Sequence, residues 1–173
     1  NKELDAEEVD YLKKFADIFD RFYNSKRFRF SINHLLQKTD SVTLFDRLLQ
    51  YHESNNLFMN PIGLDKQYEI FQKIFFTTPS IENKDLLKLD YLYSQRAYRL
   101  PTFLSEKSIF SGKTWKQDRK TPIISFQHKI EISGSEAHLK SVEHPVYYAI
   151  AHSNNGDGYF HRPILNMIED QEK

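Results

Sequence analysis

Cysteine is absent from this chain. That excludes a disulfide scaffold, a Cys-ligated zinc or iron–sulfur site and a cysteine nucleophile. Net charge is absent too: 24 Lys and Arg balance 24 Asp and Glu. A protein that coats a polyanion draws its affinity from phosphate neutralisation, so zero net charge argues against that class and leaves room only for local basic patches. Glycine is scarce, at five residues in 173. Walker A, Gly-x-Gly-x-x-Gly and Gly-x-Ser-x-Gly patterns are all missing, as is any His-Glu-x-x-His. No apolar run reaches the eighteen residues that a membrane-spanning helix needs. The acidic start, Asn1 to Asp10, carries no signal-peptide pattern. The chain begins with Asn rather than Met, as a processed fragment with an upstream targeting segment would. The expectation is an intracellular protein of cytoplasm or nucleus, without membrane or cofactor.

What is present is a heavy aromatic load, 14 Phe, 10 Tyr and one Trp, in a chain 39% hydrophobic. A disordered chain has no such content, and a chain of this length buries enough surface to fold unaided.

Hydrophobic spacing divides the chain. Over about residues 3–100 apolar side chains recur at three- and four-residue steps, the pattern of buried helical faces. Residues 3–24 predict one long helix with Leu12, Phe15, Phe19 and Phe22 buried. Ser31 is placed to cap a short helix through Lys38, Asp40 or Ser41 to cap the next, Asp65 to open a fourth and Ser80 a fifth. The pattern dissolves across 101–122. From Ile123 the period becomes two: Ile124, Phe126, His128, Ile130 and Ile132 alternate with polar residues. Ser133-Gly134-Ser135 predicts a turn, 137–142 a second strand, and 146–151 a further strand beyond Pro145. Asn154 to Gly158 predicts another turn, with a short return strand at 159–162. Pro163 suits the first turn of a short C-terminal helix. The fold class is therefore α+β: a helical part over about 3–100, a small antiparallel sheet over about 123–162 and a short terminal helix. The organisation reads as a helical subdomain 1–100, an irregular connection 101–122 and a β subdomain 123–173, or as one domain 1–173.

Two constellations carry potential chemistry. Five of the seven histidines fall after residue 127. His128 shares strand parity with four large apolar residues, an unusual place for a polar ring. His152 and His161 flank the Asn-rich turn, which also holds Asp157. Together His128, His152, Asp157 and His161 form a candidate acid–base or metal site, weighed against a simpler role as hydrogen-bonded or surface histidines. No metal is expected, because no recognised ligand spacing supports one. Ser153 to Ile164 is not a calcium loop either: Ser153 stands where Asp is needed and Ile164 where Glu is needed. The second constellation interleaves cations with rings: Lys26, Arg27, Phe28 and Arg29 in one segment, Lys113, Trp115, Lys116, Arg119 and Lys120 in another. Cations for phosphate and rings for base stacking make a candidate nucleic-acid surface; the simpler reading is solvated loops anchored by their rings.

Without a cofactor or nucleophile motif, the sequence leans to a non-enzymatic protein–protein interaction domain or complex subunit, with other protein subunits as partners. A nucleic-acid-associated factor is the alternative, and a His-dependent hydrolase or metal-binding protein the third.

Overall fold

The structure is a computed structural model, and it describes residues 5–77, 80–96, 99–105, 121–134, 136–152 and 163–168. The fold is α+β: among the described residues five α-helices precede a three-stranded antiparallel sheet in the order β1-β2-β3. The chain divides into two compact units, Asn1–Thr78 and Pro79–Lys173. The fifth helix lies in the second unit, with the sheet.

The helical unit begins with α1 (Ala6–Phe19), capped by Asp5. Asp5 accepts the Glu8 N–H at 2.8 Å and Glu8 accepts the Asp5 N–H at 3.0 Å, a reciprocal capping box. The helix then widens into a π turn, Asp20–Asn24, closed by Ser25 N–H to Asp20 O at 3.0 Å. Predicted burial holds for Phe22 but not for Leu12, which is 49% exposed; Phe15 and Phe19 are half-buried. The inner stripe is Phe15, Ile18 and Phe22, and Tyr11, 45% exposed, lies outside it together with Leu12. Lys26 turns the chain at φ 56°. Helix α2 (Arg29–Leu36) starts after Phe28 with no side-chain cap, so Ser31 is buried inside the helix rather than capping it. Asp40 caps α3 (Ser41–Ser54), accepting from Thr43 N–H at 2.9 Å. Those bonds hold its carboxyl below the usual carboxylate range. Helix α4 (Leu64–Phe75) follows Gly63.

The centre of this unit is a ring stack. Phe28 lies 4.4 Å from Tyr68, 4.7 Å from Phe71 and 5.0 Å from Phe22, centroid to centroid. The Tyr68 hydroxyl donates to Arg27 O at 2.6 Å, so its polar end is satisfied by the turn that delivers Phe28.

The second unit contains α5 (Ile81–Ser94), capped by Ser80 through Asn83 N–H at 3.1 Å. Every residue from Asp85 to Leu92 is buried. Helix α5 packs on β1 (Ile123–Ser133). Strand β2 (Glu136–His152) is continuous where two strands were expected. Phe126 pairs with Val146 and His128 with Ser141, so the four residues 142–145 loop out opposite Gln127 alone. Pro145 marks a bulge rather than a break, as a residue without an N–H requires within a ladder. Strand β3 (Pro163–Ile168) replaces the expected C-terminal helix. Proline opens edge strands as readily as helices, and pairing with 147–152 of β2 decides the outcome. Among the described residues no helix is long and apolar enough to cross a membrane.

Candidate functional site

The most concentrated chemistry in the described residues lies where α5 meets β1. In the ladder, Ile150 N–H donates to Pro122 O at 2.9 Å. Residues 122, 124 and 126 thus point their backbone groups at β2, and 123, 125 and 127 point theirs away from it. Strand β1 is at the margin of the sheet. Two α5 side chains answer those outward groups. Asp85 Oδ2 accepts the Gln127 N–H at 2.8 Å, and Lys88 Nζ donates to Ser125 O at 2.9 Å. The pair is closed by Lys88 Nζ to Asp85 Oδ1 at 3.2 Å. Both are buried, Asp85 at 0% and Lys88 at 1% exposure. An acid and an amine one helical turn apart thus substitute for a neighbouring strand. The Lys88 ammonium also lies 5.4 Å from the Phe126 ring centroid, where the ring face favours a cation.

His128 completes the cluster. Its Nδ1 lies 2.9 Å from Asp85 Oδ2, and its side chain keeps 17% exposure. With the Asp85 carboxyl oxygen as acceptor, Nδ1 is the ring nitrogen that carries the donor hydrogen of this contact. The expectation of a largely buried, hydrogen-bonded His128 is met. Tyr148 spans the bulge: its ring stands edge-on to Phe126 at 5.6 Å, and its hydroxyl accepts Ile130 N–H at 2.9 Å. Burial pushes the Tyr148 phenol above its ordinary value, so it stays protonated.

An aspartate holding a histidine is two-thirds of a nucleophilic triad. The third member, a hydroxyl on Nε2, is lacking among the described residues, and no group of three or more metal-capable side chains occurs among them. What the arrangement does here is hold a sheet margin closed.

The other candidates disperse. His152 is half-buried on β2, opposite Pro163. Ladder register puts it eight residue steps from His128, or about 26 Å. Asp157 and His161 lie outside the described residues, as do Lys113, Trp115, Lys116, Arg119 and Lys120. In the other basic segment Lys26 and Arg27 are exposed, but Phe28 is fully buried in the ring stack. Phe28 therefore cannot serve as a stacking platform. Arg29 lies over the Phe30 ring at 4.4 Å, and that ring is buried too.

Asp85, Lys88 and Tyr148 carry no motif. One signal was available: Asp85, Lys88, Leu89 and Leu92 share the spacing of one helical face, so two charges stand on an apolar stripe.

Fold and cluster together define an α+β protein whose one concentrated group of buried charges, among the described residues, braces the margin of its sheet. The chain belongs to the family described as "Protein of unknown function (DUF4080)", whose profile matches residues 1–147. Asp85, Lys88 and His128 fall inside that match, and β3 falls beyond it. No curated protein and no solved structure matches the chain.

Proposed function

We propose that this chain is a non-enzymatic binding module, an interaction domain or subunit of a larger assembly. The observation that carries this reading is how the buried charges are used. Asp85 and Lys88 answer backbone groups of β1, and His128 is tethered to the same carboxylate. The most reactive-looking residues are thereby engaged in holding the fold. Large apolar side chains meanwhile remain on the surface of both units, among them Val42 at 63%, Met59 at 79% and Ile164 at 51% exposure. Side chains of this kind form interface cores.

The test uses the full-length protein purified natively from its own cells, with light scattering and cross-linking mass spectrometry. The expected result is a mass above that of one chain, with components in fixed ratio. His128→Asn, which keeps a donor for Asp85, should leave that assembly unchanged. A protein that always runs as one chain overturns the reading. So does a His128→Asn variant that folds and assembles normally yet loses the cellular role.

A further inference from the structure

Helix α3 ends without glycine. Asn56 takes the left-handed conformation at φ 53°. Its N–H donates to Glu53 O at 3.0 Å, and the Leu57 N–H donates to His52 O at 2.8 Å. These two bonds close the helix and fasten the loop 55–63 to the backbone of His52. The Phe58 ring follows, 5.7 Å from the His52 ring. At its far end the loop is tied by Gln67 Nε2, which donates to Ile62 O at 2.9 Å. From Glu53 to Lys66 no residue is buried. A segment that buries so little apolar surface opens at lower cost than the core beside it.

His52 itself is fully buried. A carbonyl only accepts, so the 2.7 Å contact with Leu48 O places the hydrogen of the neutral ring on Nδ1. Nε2 is then a lone pair, and it meets no hydrogen-bond partner among the described residues. A proton added there makes a charged donor without an acceptor, a costly state for a buried group. The charges acting on the ring are Arg21 of the π turn and Asp17 of α1, and these are joined to each other at 2.7 Å. On α3, the neighbouring Tyr51 ring has Lys73 of α4 over it at 5.8 Å, and Glu53 pairs with Lys14. The loop 55–63 holds no charged residue. None of these groups offers a free carboxylate to a charged His52.

We infer that His52 is an acid-operated latch: a proton on Nε2 lifts the loop 55–63 from the ring and lets water reach it, while the ring stack around Phe28 stays closed. The loop is the element that yields, because the other way to wet Nε2 is to expose Phe22, which is buried in that stack. Burial already holds the His52 pKa below the ordinary 6.5, the sense this device requires. The inference does not depend on the binding-module reading; it gives the chain a surface that changes with pH.

Hydrogen exchange of the intact chain by NMR between about pH 7.5 and 5, corrected for the intrinsic pH dependence of amide exchange, tests it. The opening constant at the Leu57 amide should be flat above about pH 6.5 and rise about tenfold per pH unit below it. At every pH it should exceed the constants at Leu48 and Phe71, in buried turns of α3 and α4, by about tenfold or more, and low urea should not move it, as for a local opening. His52→Asn keeps an N–H for Leu48 O and does not titrate, so its Leu57 constant should stay flat with pH. His52→Phe serves as a second non-titrating variant should the first fold poorly. A Leu57 constant that ignores pH in the unmodified chain overturns the inference, as does a slope that survives in a folded non-titrating variant. Equal constants at Leu57, Leu48 and Phe71 overturn it too, because the loop would then open only with the whole helical unit.

Discussion

The helical unit and the sheet unit close their cores by opposite means. Around Phe28 the helical unit stacks rings, and the Tyr68 hydroxyl at its edge is met by a backbone carbonyl. The sheet unit buries an aspartate and a lysine beside its aromatic pair, Phe126 and Tyr148. The difference follows from backbone chemistry. Helices satisfy their own N–H and C=O groups, so apolar faces are enough to join them. A sheet leaves a row of groups at each margin, and a buried margin must be answered. Buried charge in the sheet unit is thus a consequence of burying a strand edge under a helix.

Two substitutions test that contrast with the largest expected losses. Asp85→Ala removes the carboxylate beside the buried Lys88 ammonium and the acceptor of the Gln127 N–H, and should cost about 3–5 kcal/mol. Hydrogen exchange read at the Gln127 amide should accelerate in step. Phe28→Ala empties the ring stack and should also cost about 3–5 kcal/mol, seen by urea unfolding and by exchange confined to the helical unit. A loss under about 1 kcal/mol in either would mean that its core is held by something else.

The double variant Asp85→Leu with Lys88→Met sharpens the point. Replacing an isolated buried ion pair by apolar side chains is often neutral or better. Here it leaves Gln127 N–H and Ser125 C=O without their side-chain partners, each worth about 1–3 kcal/mol when buried. We expect a net loss of about 2 kcal/mol, smaller than for Asp85→Ala alone. A neutral double variant would show that the strand margin does not need these side chains.

These residues also show what the sequence could and could not disclose. The helices from Asp40 to Ser94 and the alternation of β1 are local patterns, so spacing and capping residues reveal them. The α+β class follows from their order. The Asp85–His128 contact joins residues 43 apart and depends on a bulge, and a bulge is a property of two strands rather than of one. The expected helix after Pro163 failed for a related reason, since proline fits a helix start and an edge strand equally, and only pairing with β2 decides. His128 was singled out by parity alone. Its partner lies on α5, 43 residues earlier, where the local sign is two charges set on an apolar stripe.

Acid separates the units further. His52 is fully buried, its Nδ1 2.7 Å from Leu48 O, and Phe22 and Phe58 lie 5.6 and 5.7 Å from its ring. Burial is the main cause of its pKa falling below the ordinary 6.5. The folded chain keeps His52 neutral while the unfolded chain protonates it near 6.5, so the unfolded state binds more protons below that pH. Stability is complete above about pH 6.5 and falls as pH drops toward the lowered value, by at most about 1.4 kcal/mol per pH unit for one proton. His52→Phe should remove that slope from the helical unit's unfolding curve. A slope that survives the substitution would assign it to another group.

The smallest expected effect concerns the outer face of α1. Periodicity alone ranks Leu12 with Phe15, Phe19 and Phe22 as core. In the structure both Tyr11 and Leu12 are exposed, but Tyr11 keeps contacts, its ring 6.1 Å from Phe15 and its hydroxyl donating to Asp46 Oδ1 at 3.0 Å. Leu12 is left 49% exposed beside Glu7, Glu8 and Tyr11, along a shallow groove of about 420 Å³. Leu and Gln have nearly equal helix propensity. Leu12→Gln should therefore change stability by less than about 0.5 kcal/mol. Tyr11→Ala loses a ring contact and a hydrogen bond, and should cost about 1 kcal/mol or more. Chemical denaturation of the two variants side by side decides the orientation of α1. A larger loss for Leu12→Gln than for Tyr11→Ala would rotate the helix by one residue and return Leu12 to the core.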